Sequence, residues 1–265
     1  MYKRVIIISI LFLSVSLFAK EAINVTAYSA ILINASNKKV LYSKNPHVKL
    51  APASTVKIMT ALLVLKNISL DKNVTVSAYA TSMPPSKIHL KKGEVYKVSD
   101  LLKALLLNSG NDASVALAEA VAGTEANFVK MMNDMAKKIG CYNTNFKTSN
   151  GLPAKGQYST AYDLALIVRE AVKDKRILDI MEMKNTEIKE LNSNRGIRLK
   201  NHNKSLWKDT SYLILGKTGY TFKAKQCFAG YVHYDKKRNL IVALLKGRKL
   251  WLDLKEVAQK GRHLF

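Results

Sequence analysis

The chain has 265 residues, of which 48% are hydrophobic and 23% are charged. This composition is typical of folded globular proteins and excludes disordered and low-complexity chains. The formal net charge is +24, from 43 Lys and Arg against 19 Asp and Glu. The basic residues are dispersed and form no basic-aromatic nucleic-acid module, so we predict a solvated basic surface and no nucleic-acid partner.

The N-terminus has the pattern of an export signal. Residues 1–4 are basic, and residues 5–19 carry no charge but are too few to span a bilayer comfortably. We predict a signal peptide over 1–19, with an uncleaved anchor as the alternative, and one domain over 20–265 with no second domain after it. The protein would then lie in the periplasm or on the outer face of the cytoplasmic membrane, where its charge favours anionic wall polymers or lipids.

The predicted elements place strands at both ends of the chain and helices in the middle. Residues 23–34 and 38–45 predict a hairpin, and 213–221, 227–234 and 239–247 predict three further strands. Apolar residues at helical spacing predict helices over 52–66, 98–109, 112–123, 124–140, 159–173 and 250–265, the third of which is predicted to open at Asp112. This order predicts an α/β (α+β) fold, with an antiparallel sheet of about five strands from both chain ends, flanked by helices and carrying a helical subdomain inserted in the middle.

Helix starts and the two cysteines give further predictions. Thr124 is predicted to cap the helix that follows it, and Thr160 and Asp163 have capping-box spacing. Cys141 and Cys227 are the only cysteines and lack the spacing of metal ligands. They could form a disulfide in an exported protein or remain two buried thiols.

A serine and a lysine three residues apart open the helix predicted over 52–66. S-x-x-K also occurs at Ser36, Ser69 and Ser205, but only Ser54 starts a long apolar helix. There Lys57 lies on the same helix face as Ser54, and the helix N-terminus favours a developing alkoxide. A lysine base must be buried or lie near another positive charge to lose its proton. Ser54 is therefore a candidate nucleophile, with a plain N-cap as the alternative.

Two further motifs follow in the chain. S-x-N, with Ser109 and Asn111, interrupts the predicted helices over 98–123, where the alternative is ordinary turn chemistry. K-T-G, formed by Lys217, Thr218 and Gly219, lies on a predicted strand, where lysine and threonine can bind a carboxylate and glycine allows close approach. The alternative there is an edge strand that uses lysine against aggregation.

Together and in this order, the three motifs are the signature of the penicillin-recognising serine enzymes. The chain resembles the D-alanyl-D-alanine carboxypeptidases, the low-molecular-mass penicillin-binding proteins, from about residue 24 to its end. The stretches "PASTVKIMTALLVL", "TSNGLP", "YSTAYDLA" and "KTGYT" followed by "AGY" carry this resemblance. It implies a β-lactamase/transpeptidase-like fold and a catalytic domain over 20–265.

The resemblance also implies an activity. Ser54 would attack the carbonyl between two D-alanines and Lys57 would accept its proton. Ser109 would relay a proton to the leaving group, and Asn111 would hold the substrate backbone. The protein would trim the terminal D-alanine from stem pentapeptides during peptidoglycan biosynthesis, which contributes to cell shape, and β-lactam antibiotics would be covalent inhibitors.

The remaining roles implied by the resemblance belong to the late strand. Lys217 and Thr218 would bind the substrate carboxylate, with Gly219 beside them. The backbone N–H groups of Ser54 and Tyr220 would form the oxyanion hole. No metal and no cofactor is implied.

The sequence leaves three alternatives to a D-alanyl-D-alanine carboxypeptidase. A D,D-endopeptidase that cleaves cross-links would use the same machinery. A class A β-lactamase needs a glutamate in E-x-x-L-N, but the nearest string, residues 187–192, has the wrong spacing, and Gly110 stands where those enzymes usually have aspartate. A non-enzymatic penicillin sensor is the third. His202 stands where the family often carries an arginine that helps the carboxylate site, so its role is open.

Overall fold

The structure is a computed structural model that describes residues 22–208 and 210–265. The predicted signal segment, residues 1–19, lies outside these residues. Within them, no helix has the length and apolar character needed to cross a membrane.

The described residues form nine strands and eight α-helices. The strands are β1 (Ser29–Asn34), β2 (Val40–Lys44), β3 (Asn73–Thr75), β4 (Val95–Lys97), β5 (Asn185–Lys189), β6 (Gly196–Lys200), β7 (Leu213–Thr221), β8 (Lys225–His233) and β9 (Asn239–Gly247). The helices are α1 (Lys57–Asn67), α2 (Ala78–Thr81), α3 (Val98–Leu107), α4 (Asn111–Ala122), α5 (Glu125–Lys138), α6 (Ala161–Ala171), α7 (Lys175–Glu182) and α8 (Leu250–Gly261).

One antiparallel sheet joins the two ends of the chain, as predicted. Its strand order is β2-β1-β9-β8-β7. Ile31 of β1 lies opposite Ser43 of β2 on one side and Ala243 of β9 on the other. The N-terminal hairpin therefore extends a sheet whose other three strands come from the C-terminal part. The strands β3 and β4, and likewise β5 and β6, form separate two-stranded sheets.

Both faces of the five-stranded sheet are buried. Along β1, Ile31 and Ile33 face a core shared with α1, α3, α4 and α6, whereas Ala30 and Leu32 face a smaller core shared with α8. Successive strand residues point to opposite faces, so β1 has apolar residues throughout because both faces are covered. The sheet, held between α6 and α8, is a rigid base for the site at its β7 edge.

Of the predicted local details, one is confirmed by the structure and others differ from it. Thr124 caps α5 as predicted, accepting from Asn127 N at 3.2 Å. Thr160 accepts from Asp163 N at 3.0 Å, but the Asp163 carboxylate binds the 143–144 segment, so only half of the capping box forms. Cys141 and Cys227 are buried free thiols, so of the two alternatives the disulfide is wrong. The hairpin β5–β6 and helix α7 were not predicted.

Candidate active site

Ser54 lies in a short 3-10 turn, Ala53–Val56, immediately before α1. Its hydroxyl makes no capping bond to the helix backbone. Instead, Ser54 Oγ lies 3.1 Å from Lys57 Nζ and accepts a hydrogen bond from it. Ala53 has φ +49°, in the left-handed region, which turns the chain sharply into α1. The side chain of Ser54 is thus directed to the lysine rather than to a cap.

Lys57 is fully buried and has three acceptors around its amine. Lys57 Nζ lies 3.1 Å from Ser54 Oγ, 2.8 Å from Asn111 Oδ1 and 2.6 Å from the carbonyl oxygen of Asn150. Burial lowers its pKa well below the ordinary value, and the nearby positive Lys217 lowers it further, whereas Asp112 opposes them.

The three acceptors are not equivalent, and their difference orients the lone pair of the neutral Lys57 amine. Asn111 Oδ1 and the Asn150 carbonyl can only accept, whereas the Ser54 hydroxyl can also donate. A neutral Lys57 amine therefore gives its two protons to Asn111 and Asn150 and is left with its lone pair toward Ser54. In this state Lys57 is placed to take the proton from the Ser54 hydroxyl.

The loop over residues 149–151 fixes the Asn150 carbonyl. Ser149 donates from its backbone N and from Oγ to Glu125 Oε1, at 2.8 and 2.6 Å, and its carbonyl accepts from Thr60 Oγ1 at 2.5 Å. Gly151 has φ +85°, and a Cβ there would collide with the Ala53 carbonyl. Sequence reasoning used "TSNGLP" only for resemblance and assigned these residues no role. The glycine after Asn150 was the one local signal of a special backbone.

The S-x-N motif lies between α3 and α4, on the opposite wall. Ser109 is buried with φ +63°, and Asn111 is the first residue of α4. Besides accepting from Lys57, Asn111 donates from Nδ2 to the Pro84 carbonyl at 3.0 Å. Its amide therefore orients the lysine and ties it to the 84–86 segment. The substrate-holding role implied for Asn111 stays a prediction.

Asp112 is a further site residue whose role the sequence did not reveal. It was predicted to open the helix over 112–123, but Gly110 holds the N-cap position and α4 begins at Asn111. The buried Asp112 carboxylate accepts from the backbone N of Ile88 and of Leu90, each at 3.1 Å. It therefore anchors the segment that brings Ser86 to the rim of the site.

The K-T-G residues lie on β7, beside the nucleophile turn. Lys217 is 1% exposed, donates to the Thr218 carbonyl at 3.0 Å, and burial lowers its pKa to about 7. A Cβ at Gly219 would lie 2.9 Å from Ser54 N, closer than real Cβ contacts allow. Glycine therefore lets β7 approach the nucleophile turn itself, and this brings the backbone of Tyr220 to the same edge as Ser54.

These residues surround one cleft of about 380 Å³. The three motifs and the residue after the last of them contribute Ser54, Ser109, Thr218, Gly219 and Tyr220 to its lining. The lining also includes Ser86, Gln226, Leu250 and Trp251. Among the described residues that line it, none is a carboxylate. The cleft thus brings the Ser54 hydroxyl, which is bonded to the buried Lys57 amine, together with residues of the other two motifs.

His202 lies at the cleft, whereas the string 187–192 lies away from it. His202 lines the cleft with Thr218. Its pKa is lowered by partial burial, by Lys217 and by Lys57. The string 187–192 lies in β5 and the turn after it, where Glu190 Oε1 accepts from Val95 N at 2.8 Å, and it does not line the cleft. The glutamate that a class A β-lactamase needs is therefore not supplied by this string.

Comparison with known proteins agrees with this geometry. A family model described as D-alanyl-D-alanine carboxypeptidase, peptidase family S11, matches residues 16–248. In three dimensions, the D-alanyl-D-alanine carboxypeptidase from Mycobacterium tuberculosis H37Rv superposes with a TM-score of 0.84 at 28% identity, over 91% of this chain and 93% of that one. The Streptomyces K15 DD-transpeptidase gives 0.82 at 28% identity, over 90% and 97%. The fold is that of the DD-peptidases, as predicted.

Curated relatives lead to the same family. D-alanyl-D-alanine carboxypeptidase DacF of Bacillus subtilis (strain 168) is 42% identical over 206 residues, 76% of this chain and 52% of the relative. DacC of Escherichia coli (strain K12) is 40% identical over 212 residues, 76% and 52%. The enzyme of Streptomyces sp. (strain K15) is 32% identical over 222 residues, 77% and 75%. The chain belongs to the D-alanyl-D-alanine carboxypeptidase family, and it spans about half the length of DacF and DacC.

Proposed function

We propose that the protein is a serine-type D-Ala-D-Ala carboxypeptidase that trims the terminal D-alanine from peptidoglycan stem pentapeptides. One observation carries the proposal: the buried Lys57 amine lies 3.1 Å from Ser54 Oγ, with its other two partners able only to accept. A lysine so held is a general base aimed at a serine nucleophile. Family membership and the curated relatives support the same activity.

In the first step, Ser54 Oγ attacks the carbonyl carbon between the two D-alanines while Lys57 takes the hydroxyl proton. The backbone N–H groups of Ser54 and Tyr220 would stabilise the oxyanion that forms. Ser109, which also lines the cleft, relays the hydroxyl proton from Lys57 to the leaving amine, and the C–N bond breaks. Free D-alanine leaves, and an ester joins the remaining peptide to Ser54.

In the second step, Lys57 takes a proton from the water molecule that attacks this ester and gives it to Ser54 Oγ as the ester C–O bond breaks. The shortened peptide leaves as an acid, and Ser54 and the neutral Lys57 amine are restored. Lys217 and Thr218 bind the terminal carboxylate before the C–N bond breaks. Thr218 lines the cleft, the Lys217 amine lies 3.0 Å from the Thr218 carbonyl, and no carboxylate is among the described residues that line the cleft.

β-Lactam antibiotics follow the same first step. The amine that is released when the ring opens stays attached to the acyl group, so nothing leaves the site. They are therefore proposed to be slowly released covalent inhibitors.

Substrate assays separate this activity from cross-link cleavage. The protein is incubated with stem pentapeptide monomers and with cross-linked dimers, and Ser54→Ala is the control. We expect D-alanine release from monomers by the wild type alone. Cleavage of dimers without any D-alanine release from monomers would instead identify a D,D-endopeptidase.

Export is a further part of the proposal, with residence in the periplasm or on the outer face of the cytoplasmic membrane. The basic head and apolar run in residues 1–19 support it. The net charge would then hold the protein near anionic wall or membrane surfaces. Fractionation of cells that make the full chain tests this, since a cytoplasmic pool alone would contradict it.

A further inference from the structure

A second groove lies beside the catalytic cleft and is continuous with it. It has a volume of about 840 Å³ and shares Tyr220 and Gln226 with the cleft. Five basic residues line it, and we call it the basic groove: Lys44, Lys225, Lys246, Arg248 and Lys249. None of these five has a part in the proposed chemistry at Ser54. A ligand that extends out of the cleft past Tyr220 would enter this groove.

Four of the five basic side chains of the groove are exposed, and the fifth, Lys44, is half-buried and donates from Nζ to the Val25 carbonyl at 2.8 Å. Within residues 22–208 and 210–265, no salt bridge joins any of the five to a carboxylate. The carboxylate beneath the groove, Asp253, is buried and accepts from Thr26 N, Thr26 Oγ1 and Ala27 N. The oxygens of Asp253 are occupied by these hydrogen bonds. Its negative charge partly offsets the positive charge of the groove, but it forms no ion pair with the five basic side chains. A concave surface lined by one sign of charge concentrates oppositely charged ligands.

The backbone and aromatic rings hold two of these cations at the groove. Lys225 has φ +55° and Lys246 has φ +56°, a region in which glycine or asparagine is the usual choice. Lys246 Nζ lies 5.4 Å from the centre of the Tyr28 ring, and Lys225 Nζ lies 4.2 Å from that of Phe222. Such cation–π contacts restrict long lysine side chains. Lys225 and Lys246 are the neighbours of Gln226 and Gly247, the pair at which the register of β8 against β9 begins to shift.

We propose that the basic groove binds the free side carboxylates of the stem pentapeptide, alone or within a cross-linked dimer, whose D-alanyl end occupies the catalytic cleft. The identity of the substrate in this proposal rests on the proposed function. Stem peptides are oligopeptides with acidic residues, and an extended peptide advances about 3.3 Å per residue. Because Tyr220 and Gln226 line both the cleft and the groove, an extended peptide held at Ser54 can continue into the groove. Continuity with the cleft favours an occupant covalently attached to the substrate over a separate phosphate polymer.

A binding experiment on the full chain tests the proposal. The background is Ser54→Ala, so that the probe is not hydrolysed. The probe is a soluble cross-linked stem-peptide dimer that keeps one D-alanyl-D-alanine end and has free side carboxylates. The comparison probes are the same dimer with those carboxylates amidated and poly(glycerol phosphate). The groove variant carries Lys246→Gln, Arg248→Gln and Lys249→Gln. The control variant loses the same charge from exposed positions on α5, through Lys130→Gln, Lys137→Gln and Lys138→Gln.

We expect the groove variant to bind the free-carboxylate dimer roughly tenfold more weakly, since each exposed charge contact contributes a few-fold in affinity. The control variant should keep the affinity of its parent, and amidation of the dimer should abolish the difference between them. Thermal unfolding verifies that both variants fold. Rising salt should weaken binding to the parent more than to the groove variant.

Three results would overturn the proposal: equal losses in the groove and control variants, no effect of amidation, or equally tight groove-dependent binding of poly(glycerol phosphate). The last would assign the groove to a phosphate polymer. The activity assay on the wild type remains independent. Groove-dependent binding without D-alanine release would support the groove proposal and contradict the carboxypeptidase proposal. D-alanine release with groove-independent binding would support the carboxypeptidase proposal and contradict the groove proposal.

Discussion

The carbonyl oxygen of Asn150 lies 2.6 Å from Lys57 Nζ, although the two residues are 93 positions apart in the chain. The loop that carries Asn150 also packs against the nucleophile turn, through Gly151. The same loop therefore orients the base and supports the nucleophile. Small changes in it should affect chemistry at Ser54 without any change in the reacting groups.

Gly151→Ala tests this relationship. The added Cβ would collide with the Ala53 carbonyl and would also strain a backbone at φ +85°. We expect acylation by penicillin to slow by about 100-fold, as for a displacement of roughly 1 Å at a reacting centre. Gly156→Ala is the matched control, because Gly156 has φ +80° but its nearest neighbour atom would lie 3.6 Å away. Equal effects of the two substitutions would show that strain alone, and not contact with the turn, matters.

Lys217 should act on the substrate carboxylate rather than on the chemistry at Ser54. We expect Lys217→Ala to reduce kcat/KM for a peptide with a free C-terminal carboxylate by about 10- to 100-fold, the usual effect of losing a charged hydrogen bond. The same peptide with an amidated C-terminus should lose much less. Steady-state kinetics on the two peptides measures the difference, and an equal loss on both would contradict the assigned role.

Burial of Lys217 should also appear in the pH dependence of stability. Its pKa is about 7 in the folded state and near 10.5 when exposed, so between these values the unfolded chain binds more protons. The free energy of unfolding should therefore rise with pH. From pH 7 to 8.5 we expect wild type to gain about 1–2 kcal/mol more than Lys217→Met.

Urea unfolding at each pH measures this gain. The range ends at pH 8.5 because the buried thiols of Cys141 and Cys227 have raised pKa values and oppose the trend above their ordinary value of 9.0. Lys130→Met, at an exposed position on α5, is the control and should follow wild type. Parallel curves for wild type and Lys217→Met would show that Lys217 keeps its proton in the folded protein.

His202 offers a gain-of-function prediction. It lines the cleft with Thr218, and its lowered pKa leaves it largely neutral near pH 7. Replacing it by arginine adds a permanent charge that can bind a carboxylate in bidentate fashion. We expect His202→Arg to lower KM for carboxylate-ended peptides by roughly three- to tenfold, the range of one charged hydrogen bond at a wet site. An unchanged KM would show that His202 does not face the substrate carboxylate.

Much of the fold could be predicted because its signals are local. The strands of the five-stranded sheet are short apolar runs bounded by turns, and they occur at both ends of the chain. The hairpin of β5 and β6 escaped prediction because each strand buries mainly one side chain, Ile188 or Leu199, and leaves the others exposed or half-buried. Such strands are stabilised by the helices they cover rather than by a pattern of their own.

The three motifs could be predicted to meet, but the way in which Lys57 is held could not. Its partners Asn111 and Asn150 lie 54 and 93 residues away, and only folding brings them together. Ser54 was weighed as a helix cap, yet the turn at Ala53–Val56 leaves its hydroxyl to Lys57. Long-range contacts and left-handed backbone at non-glycine residues such as Ala53 and Ser109 leave no clear pattern in the sequence.

The central claim is that Ser54 is the nucleophile that Lys57 activates. Intact-mass measurement after incubation with penicillin tests it most directly. We predict that the wild type gains the mass of one penicillin, that the adduct disappears slowly, and that Ser54→Ala gains none. No adduct on a folded wild type, or the same adduct on Ser54→Ala, would contradict the account.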